Sequence, residues 1–307
     1  MSSSTSTQVQ SDQVAHLRQT PHVETQSLTQ MTWKRFRRHR LGVISTVVLL
    51  LVVASAVLAP VIRPEGFSKL DPRIRYQPPS ADYILGTDGV GRDIFARLLY
   101  GGRTSLTVSV VAVSISFVIG VVLGAVSGYY GGWVDIVIQR LVEIVSAMPA
   151  LIIILSFVAV YGANFTNTMI ILGLFGWTGL CRFVRGQVLQ IREMDYVLAS
   201  RSLGGHGHHI ILSHVLPNVV PYLTVSLAFA FSATILLETS LSYLGLGVQA
   251  PTPSWGNMVG DAGSMLNLRD RWWLWMPAGI AITLTVLSIN FIGDALRDAL
   301  DPHTSLD

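Results

Sequence analysis

Three places in this chain hold residue types that could do chemistry. His206, His208, His209 and His214 crowd one short polar stretch, and neutral imidazoles are common metal ligands. That stretch has no cysteine and no carboxylate among the histidines, and the adjacent Gly204-Gly205 bend makes a poor cage, so no metal is expected. Glu238 stands at the end of an apolar run, where a carboxylate invites a functional reading. The run's length places it at an outer interface instead. The segment 85–93, LGTDGVGRD, is dense in glycine and paired charges. It lacks the GxxxxGK[ST] pattern and the strand–helix setting that cradle phosphate, and it reads as a turn capping the amphipathic segment 94–100. HExxH, GxSxG and a convergent His/carboxylate set are all missing, so neither catalysis nor a cofactor is expected.

The elements that would position these residues are membrane spans. The chain has 307 residues, 50% hydrophobic and only 13% charged, with a mean hydropathy of +0.52. That balance belongs to a multi-span protein in a lipid bilayer rather than a soluble globule. A net charge of +3 is too small to argue for nucleic acid. One cysteine, Cys181, excludes an internal disulfide and reads as a small packing residue.

Taken in order, residues 1–30 are rich in Ser, Thr and Gln and read as a disordered cytoplasmic tail. Residues 31–103 hold an N-terminal anchor and an extracytoplasmic connection. Lys34, Arg35, Arg37, Arg38 and Arg40 precede an uncharged run over 41–62, which they orient with its N-terminus inside. A signal-peptidase site at Ala54-Ser55-Ala56 and a twin-arginine signal at Arg37-Arg38 are both set aside, because the apolar run continues and no soluble cargo domain follows. The connection carries Arg63, Lys69, Arg73, Arg75, Arg92, Arg97 and Arg103, against the positive-inside expectation.

Residues 104–293 form a five-helix core. The second span covers 104–128, where Ala112, Ser116, Gly120, Gly124 and Gly128 recur every fourth residue and give a small-residue packing stripe. Gly131-Gly132 turn the chain, and Arg140 is spaced to pair with Glu143 near the mouth of the third span. The uncharged run 144–181 suffices for a third and a fourth span around a turn at 161–164, and Met148-Pro149 can bend the third. A fifth span covers 215–237. Residues 239–271 read as a structured, partly re-entrant outer element. Trp272, Trp273 and Trp275 form an interfacial belt opening the sixth span, which runs to about 293. Residues 294–307 are a cytoplasmic tail, so both termini lie inside.

Between the fourth and fifth spans lies the polar loop 186–217. Tyr196, Ala199 and Leu203 share one face of a short helix, and Gly204-Gly205 bend the chain. Ile210 or Ile211 with His214 or Val215 marks a second short helix, which Pro217 closes. A helix, a glycine bend and a helix make a projecting knob that could enter a partner's groove; an amphipathic loop lying on the bilayer is the alternative.

Ala199, the small residue Ser200, Gly204 and then Leu216-Pro217 resemble the coupling motif of ABC importer permeases. Leu198 stands where that motif has Glu, so no carboxylate contact is implied. The runs 85–106, LGTDGVGRDIFARLLYGGRTSL, and 241–258, LSYLGLGVQAPTPSWGNM, are similar to the peptide/nickel branch of the same family. The resemblance covers about 31–302. It implies an all-α type I importer permease fold with six spans in the cytoplasmic membrane. It also implies a heterodimer with a related permease, two ABC ATPase subunits below and an extracytoplasmic solute-binding protein above. Tyr196, Ala199, Ser200, Leu203, Gly204, Gly205 and Pro217 would couple the chain to ATPases that hydrolyse ATP elsewhere. Di- or oligopeptides are the implied substrate, with nickel or another small solute as the alternative. An ion-coupled carrier or a membrane scaffold remains from the residues alone. The former usually keeps ionisable groups at the midplane, and the latter leaves the knob unexplained.

Overall fold

The computed structural model describes residues 28–300, with side chains described from Thr32 onward. The tail expected over 1–30 falls outside the described residues as far as 27, as does the end of the chain from 301. From Leu28 the backbone is helical: α1 (Leu28–Arg38) is followed by α2 (Arg40–Val57) and the single turn α3 (Ala59–Ile62). His39 separates the first two, its Nδ1 accepting from the Gly42 N–H at 3.0 Å.

The longest element is α4 (Ile94–Tyr130), 37 residues. At ~1.5 Å per residue it is ~55 Å long, well beyond a ~30 Å hydrocarbon layer. The second span is therefore not confined to 104–128. It starts at Ile94, because the Asp93 carboxylate caps the helix by accepting from the Phe95 N–H at 2.9 Å. Gly131 and Gly132, with φ of 65° and 54°, end α4 and start α5 (Gly132–Ala147). Consecutive positive φ values suit glycine because it has no Cβ.

The third span departs most from expectation. Instead of beginning at 144, it comprises α5 and α6 (Ala150–Tyr161), bent by 81° at Met148-Pro149. Pro149 forces Met148 into an extended conformation (φ −84°, ψ 132°), which ends α5 outright. The charged residues Asp135, Arg140 and Glu143 thus belong to its first arm, with Arg140 on Glu143 at 2.8 Å. The fourth span also outruns its expected end at 181. It is α7 (Phe165–Phe175) and α8 (Trp177–Ile191), stepping at Gly176 and carrying Arg182 and Arg185 along its last turns.

The small-residue stripe of α4 lies against this fourth span. A Cβ on Gly124 would sit 2.6 Å from the Cys181 carbonyl oxygen, and one on Gly128 2.9 Å from that of Arg185. Gly120 is as close to the Trp177 carbonyl, at 3.0 Å, while Ser116 Oγ donates to the Gly173 carbonyl at 2.8 Å. Ala112 is buried beside Ile171 and Leu172. Such backbone proximity is how helices associate where lipid supplies no hydrophobic drive.

After the polar loop comes α11 (Leu216–Tyr243), then the short α12 (Trp255–Gly260) and α13 (Met265–Asp270), and finally α14 (Met276–Leu300). The fifth span therefore extends past 237, and Glu238 is not at its margin. Glu238 is fully buried inside the protein. The tryptophans do not form a uniform belt either. Trp273 is buried, its Nε1 donating to the Thr87 carbonyl at 3.3 Å. α14 continues through the expected tail to Leu300, packing Ala295 and Ala299 against Phe36 of α1.

Among the described residues, five helical stretches are long and apolar enough to cross a membrane, and six if the bent pair is one span. Contacts sort the remainder to two ends. At one end lie α1, the close of α14 and the loop after Ile191. At the other, connection 63–93 packs on 248–275. The excess cations of that connection are mostly engaged there. Asp88 takes Arg92 and Arg97, both at 2.6 Å, and accepts from the Val90 and Arg92 N–H groups at 2.9 Å. Arg63 pairs with Asp93 at 3.4 Å, and Lys69 with Glu65 at 2.6 Å. Burial pushes the Asp88 carboxyl up, but those N–H donors and the guanidinium groups outweigh it and hold it below the ordinary carboxylate value.

Candidate functional site

The loop between the fourth and fifth spans folds into an elbow. Its first arm is α9 (Asp195–Ser202), with an acidic residue in the first turn and Arg201 in the last, both favourable to the helix dipole. The arm ends in a Schellman motif. Gly204 N–H donates to the Arg201 carbonyl and Gly205 N–H to that of Ser200, each at 3.0 Å, while Gly204 takes φ +83°. A Cβ on Gly204 would meet nothing within 4 Å. The requirement for glycine there is conformational, not spatial. At Gly205 it is spatial, since a Cβ would lie 2.8 Å from the Ser200 carbonyl oxygen.

The second arm, α10 (Gly207–Ile210), is not a separate helix closed by Pro217. It passes through a π-turn over Ile211–Val215 directly into α11, so helix runs unbroken from 207 to 243. A proline ring clashes with the carbonyl four residues earlier in a regular helix, and the wider π-turn just ahead of Pro217 relieves it. Asn218 Nδ2 donates to the His214 carbonyl at 2.7 Å beside this irregularity.

The elbow is rooted on one side and bare on the other. Val197 (2% exposed), Ile210, Ile211, Val215 and Val219 join Val184, Val188 and Ile191 of α8 and Ala125 of α4 in one apolar cluster. The face expected from spacing, Tyr196, Ala199 and Leu203, is the outward one; Leu203, the C-cap, is 89% exposed. Ser200 is half-buried at the bend. Leu198 and Leu212 add further exposed apolar surface.

Polar ties fix the base from which the elbow projects. Arg185 grips Asp135 through two bonds of 2.6 Å, and Arg192 Nη1 donates to the Gly128 carbonyl at 2.8 Å. These ties join α4, α5 and α8 beneath the bend. The pairing of Asp135 with Arg185 spans a sequence separation of 50 residues, and nothing local in the sequence announces it. His206 and His208 rings lie 5.7 Å apart, and no cluster of three or more metal-ligating residues exists among the described residues.

Comparison with known proteins agrees with this architecture. Residues 120–306 match the family described as the binding-protein-dependent transport system inner membrane component. Residues 27–79 match the N-terminal TM domain of oligopeptide transport permease C. The dipeptide transport system permease protein DppC of Bacillus subtilis is 40% identical over 277 residues, covering 90% of this chain and 86% of that protein. The oligopeptide transport system permease protein OppC of the same organism is 37% identical over 274 residues, covering 88% and 89%. In fold, a solved chain of the MetNI methionine ABC transporter, in inward-facing conformations, is similar with a TM-score of 0.56 at 17% identity. The match covers 67% of this chain and 96% of that one.

Proposed function

This chain belongs to the binding-protein-dependent transport system inner membrane components, and on that premise we propose that it is the permease subunit of an ATP-driven peptide importer. It carries di- or oligopeptides across the cytoplasmic membrane by alternating access. A related permease forms the other half of the pore, two ABC ATPases bind below, and an extracytoplasmic solute-binding protein delivers substrate above. ATP hydrolysis belongs to those ATPases. The termini and the elbow lie in the cytoplasm, a side that Lys34 to Arg40 and Arg182 to Arg201 support by their charge.

The observation that carries this reading is the elbow: an exposed apolar tip on a Schellman bend, rooted through Val197, Ile210 and Val215 in the core between α4, α8 and α11. A tip pushed by a partner's closure would transmit force to three spans through packed side chains. Tyr196, Ala199, Ser200, Leu203, Gly204, Gly205 and Pro217 carry that coupling, the first four by contact and the last three by shape. Organisation into an anchor and outer connection ahead of α4, a five-helix core from α4 through α14 with the coupling loop between α8 and α11, and flanking tails follows from the same reading. Peptide as substrate rests on the names of DppC and OppC.

Reconstitution in liposomes with the partner permease, both ATPases and the binding protein tests it. Labelled dipeptide should accumulate only with ATP inside the nucleotide-accessible compartment, and an ion uncoupler should leave uptake intact. Uptake that collapses with the uncoupler while ATP is present would establish an ion-coupled carrier instead.

A further inference from the structure

Glu238 plays no part in the coupling elbow, yet it is a carboxyl group with 0% exposure inside the bundle. Among the described residues no cation lies within ion-pair distance of it. Both its oxygens are nonetheless engaged. Ser105 of α4 donates from Oγ to Oε2 at 3.0 Å, and Ser242, one turn further along α11, donates to Oε1 at 2.8 Å. Each serine then accepts from a different point of the outer segment. The Trp255 N–H reaches Ser105 Oγ at 3.1 Å, and the Val248 N–H reaches Ser242 Oγ at 3.2 Å.

Because each hydroxyl has one proton, accepting from a backbone N–H leaves that proton free to point at the carboxyl group. The carboxyl oxygens orient both serines, and the serines hold both ends of the 248–255 stretch. Shape enforces the same closure. A Cβ on Gly256 would sit 2.6 Å from Ser242 Cβ, and one on Gly247 would collide with Ser242 Oγ. Trp255 Nε1 adds a bond to the Leu98 carbonyl at 3.1 Å.

We propose that Glu238 is a positioning residue for transport, locking the outer segment 248–258 to α4 and α11 so that the segment moves with those two spans. The proposal rests on the importer reading, because the motion it transmits is the reorientation of spans driven from the elbow. Delivery of substrate by the binding protein at the outer face would then be felt along α4 and α11, whose far ends surround the elbow.

The test uses the complete transporter in nanodiscs, with wild-type and Glu238→Gln permease. Glutamine keeps the size of the side chain but presents an NH2 donor in place of one oxygen, so the serine hydroxyl facing it loses the acceptor for its proton. Amide hydrogen exchange should accelerate at least about tenfold over 248–258 and stay unchanged over 207–215, a local opening of about 1.4 kcal/mol. Stimulation of ATP hydrolysis by dipeptide-loaded binding protein should fall about fivefold or more. Exchange unchanged in the outer segment, or faster throughout the chain, would overturn the proposal. So would local opening with stimulation intact, which would leave Glu238 a purely structural tie. Should the glutamine variant fail to assemble, Ser105→Ala, which removes the serine tie from α4, is read by the same criteria. A wild-type complex that shows no stimulation contradicts the importer reading itself, and with it the transport role of Glu238; the exchange measurement still reports on the tie.

Discussion

Single residues carry the bend of the elbow and the turn around Asp88, and each makes a separable prediction. Gly204 occupies φ +83° in open space, so replacing it costs conformational energy without a clash. Gly204→Ala should cost about 1 kcal/mol locally, and the β-branched Gly204→Val more. The valine variant should reach the membrane at the wild-type level while uptake falls about tenfold or more relative to ATP hydrolysed, measured side by side in liposomes. Normal uptake per ATP would remove Gly204 from the coupling role. Asp88 offers a pH test. Its folded carboxyl titrates below the ordinary value, so its contribution is full at neutral pH and is lost only as pH falls through that lowered folded value. Protease cleavage within 63–93 should therefore stay low from pH 7 down to about 4, the unperturbed carboxylate range, and rise below it. Asp88→Asn should be cleaved readily at pH 7, because Arg97 is left buried beside a neutral amide.

At the scale of elements, the packing of α4 on α8 decides whether the core forms. Gly124 and Gly179 provide a matched pair. A side chain on Gly124 would drive into the Cys181 carbonyl, whereas one on Gly179 meets nothing within 4 Å. Gly124→Val should cost about 1–3 kcal/mol by overpacking and lower the amount of folded protein several-fold. Gly179→Val should leave it near wild type; quantitative blotting of membranes reads both. The period of four along Ala112 to Gly128 makes this stripe legible in the sequence, because helical spacing and residue size are local properties. Span ends are less legible. The turn at 85–93 marks the start of the segment at 94, but the hydropathy of 104–128 gives no hint that this segment and the span are one helix, and proline rules point to a break at Pro217 that a π-turn absorbs. Met148-Pro149 is visible as a bend, but its 81° angle depends on what α5 and α6 pack against.

Across the whole molecule, partners far apart in sequence do the joining, and no local pattern reveals them. Arg185 with Asp135, Trp273 with Thr87 and Ser105 with Glu238 tie segments that no periodicity links. The elbow's place is readable from its polarity and glycines, while its root in Val197 and Val184 requires the fold. Joined this way, the chain has a cap at one end, where Asp88, Trp273 and Glu238 tie segments together, and a protruding elbow at the other, connected by α4 and α11. Disturbing the base should therefore be felt in transport: Arg185→Ala should lower coupled uptake several-fold, and exchanging Arg185 with Asp135 should restore part of it, as a double-mutant cycle would register. The central claim is that the tip docks on the nucleotide-hydrolysing subunit. Cys181 is the chain's single cysteine and is buried, so Leu203→Cys adds an exposed thiol at the tip. A short bifunctional crosslinker on that variant in the assembled complex should join it to an ATPase subunit, with a yield that changes when ATP is bound. Crosslinks formed only to lipid-facing or outer-face partners, or a thiol labelled from outside intact cells by an impermeant reagent, would contradict the account.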